Sequence, residues 1–203
     1  MNNPEVSLFF PEPVLRYKFE DYKNVNQNLK KYIYGLQKEN SSGQIRSNRG
    51  GWHSPNFKLT DNNSIQNKFA LELQKYILRS FQTLGWKTEN KNISINAMWA
   101  IINKKNDFNV VHTHPNSFLS AAYYVSAPKN CGRFQIENLN IARRHHYPEI
   151  LQNNELNAQV AGLDVNEGDL LIFPGLIIKS VPLPKSVSGV KHTPIFAKSS
   201  VAS

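Results

Sequence analysis

Cysteine is almost missing from this chain of 203 residues. Cys131 is the single thiol, so no intramolecular disulfide can form, and such sparing use fits a reducing compartment. Long apolar runs are missing as well: nothing approaches the ~18 consecutive apolar residues of a membrane span. The opening MNNPEVSLFFPEP has neither the basic start nor the long apolar stretch of a secretory leader. These absences predict a cytoplasmic protein with no membrane partner. Glycine-every-third and heptad patterns are lacking, which excludes collagen and coiled coil, and no internal repeat is visible. Acidic residues are the scarcer charge, 15 Asp and Glu against 24 Lys and Arg, leaving a net charge of +9.

That excess invites a phosphate-bearing partner, because Lys and Arg release counterions from nucleic acid. The basic residues, however, are scattered. Lys30-Lys31, Lys104-Lys105 and Arg143-Arg144 are the densest clusters, with no stripe at helical spacing and no reader motif. A solvated surface is the reading, and nucleic acid is not an expected partner. A basic nucleic-acid-associated protein stays as the weakest alternative, carried by charge alone.

Hydrophobic spacing divides the chain in two. Val6 to Phe10 reads as a short strand closed by Pro11 and Pro13. A helix is predicted over about 21–38, with Val25, Leu29, Ile33 and Leu36 on one stripe. A second, about 63–84, carries Ile65, Phe69, Leu73, Tyr76, Ile77, Phe81 and Leu84, with Asp61, Asn62 or Asn63 as its cap and Gly85 as its stop. Between them lies the loop SNRGGWHSP. From residue 93 the period falls to two, and strands are predicted near 93–102, 118–125, 133–136, 158–165, 169–173, 177–181 and 194–197. Helices followed by closely spaced strands make an α+β chain with a sandwich or barrel body. One domain is expected over 1–203, helical to about 90 and all-β from about 91 to 198. A core covering roughly 70% of the unfolded surface is available at this length.

Chemistry concentrates in Asn109-Val110-Val111-His112-Thr113-His114-Pro115. Histidines at i and i+2 of an extended chain project to the same face, where two imidazoles can share one metal ion. A pair of surface histidines is the simpler alternative. His53 in the Gly-Gly-Trp-His loop either closes over such a site or hydrogen-bonds a backbone carbonyl, the second being preferred. Trp52, Trp99, Tyr123 and Tyr124 read as core before substrate platform. Arg143-Arg144-His145-His146 reads as a solvated loop near the barrel mouth. Cys131 has no partnering histidine at a nucleophile's spacing.

Phe10-Pro11-Glu12-Pro13, Ser47 to Ser54 (SNRGGWHS), Trp99 with Asn103, His112-Thr113-His114-Pro115, Ser120, Tyr123-Tyr124, Gly168-Asp169 and Phe173-Pro174 occur in a fixed order. In this series the chain resembles the 2-oxoglutarate/Fe(II) oxygenases common in marine bacteria and their phages. The resemblance implies a double-stranded β-helix (jelly-roll) with two N-terminal helices packed on it, and a hydroxylase that uses Fe(II), 2-oxoglutarate and dioxygen on a substrate the sequence does not name. It implies metal ligands at His112 and His114. The third ligand of the family, a histidine after F-P, falls on Lys179. Deprotonating an ordinary lysine at neutral pH costs about 4–5 kcal/mol, so a weakened or lost metal site is expected. The cosubstrate's distal carboxylate would fall to Lys191, which follows Gly189, and to Thr193, with Asn103 and Tyr124 nearby. No catalytic group beyond the metal ligands is implied. Pro194 departs from the pattern by removing a ladder donor from an inner strand, and Ile101 stands where the family has asparagine. The rival to an active or impaired oxygenase is a non-catalytic jelly-roll binding module descended from one.

Overall fold

The computed structural model describes residues 4–140, 148–181 and 191–202; the Arg143–His146 cluster and Gly189 lie outside them. In chain order the elements are β1 (Leu15–Lys18), α1 (Tyr22–Glu39), β2 (Asn48–Arg49), β3 (Trp52–His53), α2 (Ile65–Thr83), β4 (Asn92–Ile102), β5 (Phe108–His112), β6 (Leu119–Ser126), β7 (Phe134–Glu137), β8 (Val160–Leu163), β9 (Asp169–Pro174), β10 (Lys179–Val181) and β11 (Thr193–Ala202). They form two antiparallel sheets. The larger has the order β1-β9-β6-β11-β4-β3 and the smaller β2-β5-β10-β7-β8. This is the α+β jelly-roll that the sequence implies. Three of its short strands, however, come from the first 90 residues, so the N-terminal part is not purely helical.

The larger sheet is buried on both faces, and strand alternation sorts its side chains. Met98, Ala100 and Ile102 of β4, Ala121 and Tyr123 of β6, and Leu170 and Ile172 of β9 pack on one side. They meet Leu29 and Ile33 of α1 and Phe69, Leu73 and Ile77 of α2. Trp99 and Ile101, Ala122 and Tyr124, Leu171 and Phe173, and Phe196 of β11 pack on the other, against Phe134 of β7 and Ile177. The first face is the floor under the helices and the second is the barrel interior. Within α1 the stripe holds at Leu29 and Ile33, both fully buried. Its unexpected member is Asn26, also buried, whose Oδ1 accepts a 2.5 Å hydrogen bond from the Tyr123 hydroxyl.

Two local expectations change and one holds. Val6 to Phe10 is exposed and forms no strand; it has no neighbouring strand to pair with. The paired segment is Leu15–Lys18, which runs antiparallel to β9. Its Leu15 and Tyr17 pack inward while Arg16 and Lys18 both reach the buried Asp169. The α2 cap is Ser64, not the preceding Asp or Asn residues: the Asn67 amide donates to Ser64 Oγ at 3.3 Å. Pro194 does sit in an inner strand, between β4 and β6. The register of β11 against β6 shifts between Thr193 and Pro194, and this irregularity accommodates the missing donor.

Ser64→Ala removes the acceptor for one orphan amide of α2. It should cost about 1 kcal/mol and lower the melting temperature by roughly 2–4 °C, measured by thermal unfolding followed by circular dichroism.

Candidate functional site

His112 ends β5, and His114 follows in the connection to β6. His112 Nδ1 lies 2.8 Å from its own strand's Val110 carbonyl. That contact places the proton on Nδ1 and leaves Nε2 with a lone pair. His114 Nδ1 is 2.8 Å from Ser120 Oγ on β6, and the His114 amide donates to the Gly175 carbonyl at 2.8 Å. Gly175 is required there because a Cβ would stand 2.1 Å from the Ser117 carbonyl oxygen. The turn after Phe173-Pro174 therefore seats the second histidine. The two imidazole centroids are 5.2 Å apart, with Trp99 edge-on to His114 at 5.4 Å. Both rings turn to the same region, as the i, i+2 spacing requires.

Lys179 opens β10, directly opposite His112 on one side and Ile136 of β7 on the other. The residue is 1% exposed, its Nζ has no hydrogen-bond partner, and that Nζ lies 5.4 Å over the Phe173 ring. Burial, helped by the nearby Lys198, pushes the amine down to about 7. Burial and then the charge of Lys179 push His112 down to about 4 and His114 to about 2. Near neutral pH the imidazoles are uncharged with free lone pairs, while the lysine is divided between ammonium and amine.

The histidines open onto a cavity of about 550 Å³, also lined by His53, Trp99, Arg46 and Lys198. His53 is buried, stacks on Trp99 at 5.9 Å and places Nδ1 2.6 Å from the Ser54 carbonyl. It makes the expected backbone contact and faces the cavity too. Its loop is strapped to β4, Trp52 opposite Ile102 and His53 opposite Ile101. The indole of Trp52 donates to the Asn40 carbonyl at the end of α1, at 2.7 Å.

Lys191, Thr193, Asn103 and Tyr124, the residues expected at the cosubstrate, are not among those lining this cavity. Lys191 Nζ lies 4.8 Å over the Tyr34 ring of α1, and Thr193 Oγ1 is 3.5 Å from the Tyr34 hydroxyl. Both face the helix layer, away from the histidine pair. His192 between them packs into the interior against Tyr124, with rings 5.4 Å apart and nearly parallel. Asn103 joins this group through paired backbone bonds with His192. The Tyr124 hydroxyl, Asn103 Oδ1 and both His192 ring nitrogens lack hydrogen-bond partners. Lys198 does line the cavity, with its Nζ 5.9 Å from the centre of the Trp99 ring. Its signal was in the sequence: it stands two residues beyond Phe196, on the same interior face of β11.

Among the described residues no group of three or more His, Cys, Asp or Glu side chains could hold a metal. His112 and His114 fit, since each has Nδ1 engaged and Nε2 free of hydrogen bonds, the arrangement metal-ligating histidines use. Lys179 fits only as the uncharged amine, and its ammonium form repels a cation.

Residues 97–188 match the family model described as "Putative 2OG-Fe(II) oxygenase". Among solved structures, a prolyl-4-hydroxylase from Pseudomonas putida superposes with a TM-score of 0.65 at 12% identity, covering 93% of this chain and 92% of that one. HygX from Streptomyces hygroscopicus with nickel and 2-oxoglutarate bound gives 0.64 at 9% identity over 93% and 83%. The viral collagen prolyl hydroxylase of Paramecium Bursaria Chlorella virus-1 in its 2-oxoglutarate complex gives 0.56 at 11% over 94% and 96%. At these identities the likeness is one of fold. No curated protein sequence matches the chain significantly.

Lys179→Met replaces a buried, unpartnered amine by an apolar chain of similar length. The folded amine loses its proton near 7 and the unfolded one near ~10.4, so the unfolded chain binds more protons between those values. Wild-type stability should therefore rise with pH across that window, by up to ~1.4 kcal/mol per unit. The variant should lack this rise and be the more stable protein at pH 6, as read from urea unfolding at pH 6 to 10.

Proposed function

We propose that the protein is a 2-oxoglutarate- and Fe(II)-dependent oxygenase whose metal centre is weakened by a lysine at the third donor position. The observation that carries the reading is one juxtaposition. Two neutral imidazoles with unengaged Nε2 atoms face a buried amine without a partner across the β5–β10 ladder. The jelly-roll and the family-model match over 97–188 support it. When bound, Fe(II) with 2-oxoglutarate supplies the dioxygen-dependent oxidation of a C–H bond.

The chain's own part is to hold and to orient. Val110 and Ser120 fix the rings of His112 and His114 through Nδ1. Trp99 walls the cavity on the apolar side. Lys179 donates a lone pair only after losing its proton. A binding module without iron is the second reading, favoured by the same orphaned amine.

The histidines lose their protons at about 4 and about 2, so between pH 5 and 8 Lys179 is the donor whose charge changes. Metal affinity should rise through pH 7, tending to tenfold per unit below it. Fe(II) and 2-oxoglutarate added without oxygen should give a weak visible charge-transfer band at pH 8 that fades at pH 6. Lys179→His should give the band at both values and bind Fe(II) at least about tenfold more tightly. No band and no bound metal in either protein removes the oxygenase reading and leaves the binding module.

A further inference from the structure

The same cavity carries a charge pattern that a metal site alone does not explain. Arg46 stands at its rim and Lys198 in its wall. Arg46 is an exposed lining residue of the cavity and lies near enough to His53, on the same wall, to disfavour that ring's protonation. Lys198 acts in the same way on His112 and His114. Neither cation has a salt bridge among the described residues. All fifteen acidic residues fall within the described segments, and none of them lines the cavity. The other lining groups are neutral imidazoles, the apolar Trp99, Ala97 and Val110, and polar side chains such as Gln44 and Asn56.

Convergent like charges in a concave site raise the local potential and concentrate counterions there. An exposed guanidinium adds a bidentate donor suited to a carboxylate or a phosphoryl group. At about 550 Å³ the space lies within the range of small-molecule sites. We propose that this cavity is an anion site, and that its substrate bears a carboxylate or phosphate group paired by Arg46 and Lys198. The inference deepens the oxygenase reading by naming the substrate's class. It stands on residues that do not depend on iron.

The test uses the full chain treated with chelator, so that its outcome is separate from that of the metal titration. Succinate, inorganic phosphate and uncharged succinamide are titrated while tryptophan fluorescence is followed, Trp99 being in the wall. Succinate or phosphate should bind saturably and at least about tenfold more tightly than succinamide. The tighter of the two assigns the group as carboxylate or phosphoryl. Arg46→Gln and Lys198→Gln should each weaken that anion about tenfold, and together remove its binding, whereas Arg79→Gln on the outer face of α2 should leave it unchanged. Equal response to succinate and succinamide, or anion binding that survives the double variant, overturns the proposal. So does no binding of either anion by a wild-type chain whose circular dichroism is that of the folded protein. Each of these results leaves the Fe(II) titration standing.

Discussion

The alternation of side chains along a sheet that is covered on both faces governs the whole molecule. In the central stretches of β4, β6, β9 and β11 the apolar residues are committed either to the helices or to the barrel interior. A slip of one position would exchange the two sets. It would set Trp99 and Phe196 against α1 and α2, and Met98 and Ala197 into the barrel. The same rule sends Lys198 into the cavity and leaves Lys191 on Tyr34. Packing of the core and chemistry of the site are thus decided by one register.

Electrostatics in the interior follows from what is absent there. With no carboxylate beside them, buried basic groups lower their charge by releasing protons: the two histidines do so completely near neutrality and Lys179 does so in part. The contrast is Asp169, which accepts from the Asn166 amide and meets Arg16 and Lys18, and stays ionised because these bonds together outweigh its burial. One half of the barrel handles buried charge by pairing, the other by neutralisation.

Much of this was legible from residues alone. The change of period at residue 93 located the strands beyond it except β5, the short β1, β2 and β3 gave no such signal, and the apolar stripes located both helices to within a few positions. His112 and His114 could be placed on one side because alternate residues of an extended chain share a face, although His114 lies just beyond the end of β5. Lys179 was found only through its spacing from Phe173-Pro174, since an isolated lysine carries no signal of burial. Lys191 and Thr193 stand an odd number of residues from Phe196 and so lie on the helix-facing side, Lys191 over the Tyr34 ring; their expected role at the cosubstrate comes from the family pattern, which does not consult this alternation. Arg46 sits in a turn-rich loop where side-chain direction depends on contacts with distant strands. Val6 to Phe10 shows the opposite failure, an apolar run with no strand available to accept it.

The two histidines are anchored by different parts of the chain. His112 is oriented by a carbonyl of its own strand, whereas His114 is hung between Ser120 of the next strand and the carbonyl of Gly175. The gap between the rings is therefore a property of the connection that spans residues 113–118, drawn taut at both ends. One residue added to that connection would leave both imidazoles in the sequence and every strand in its sheet, yet the pair would no longer meet.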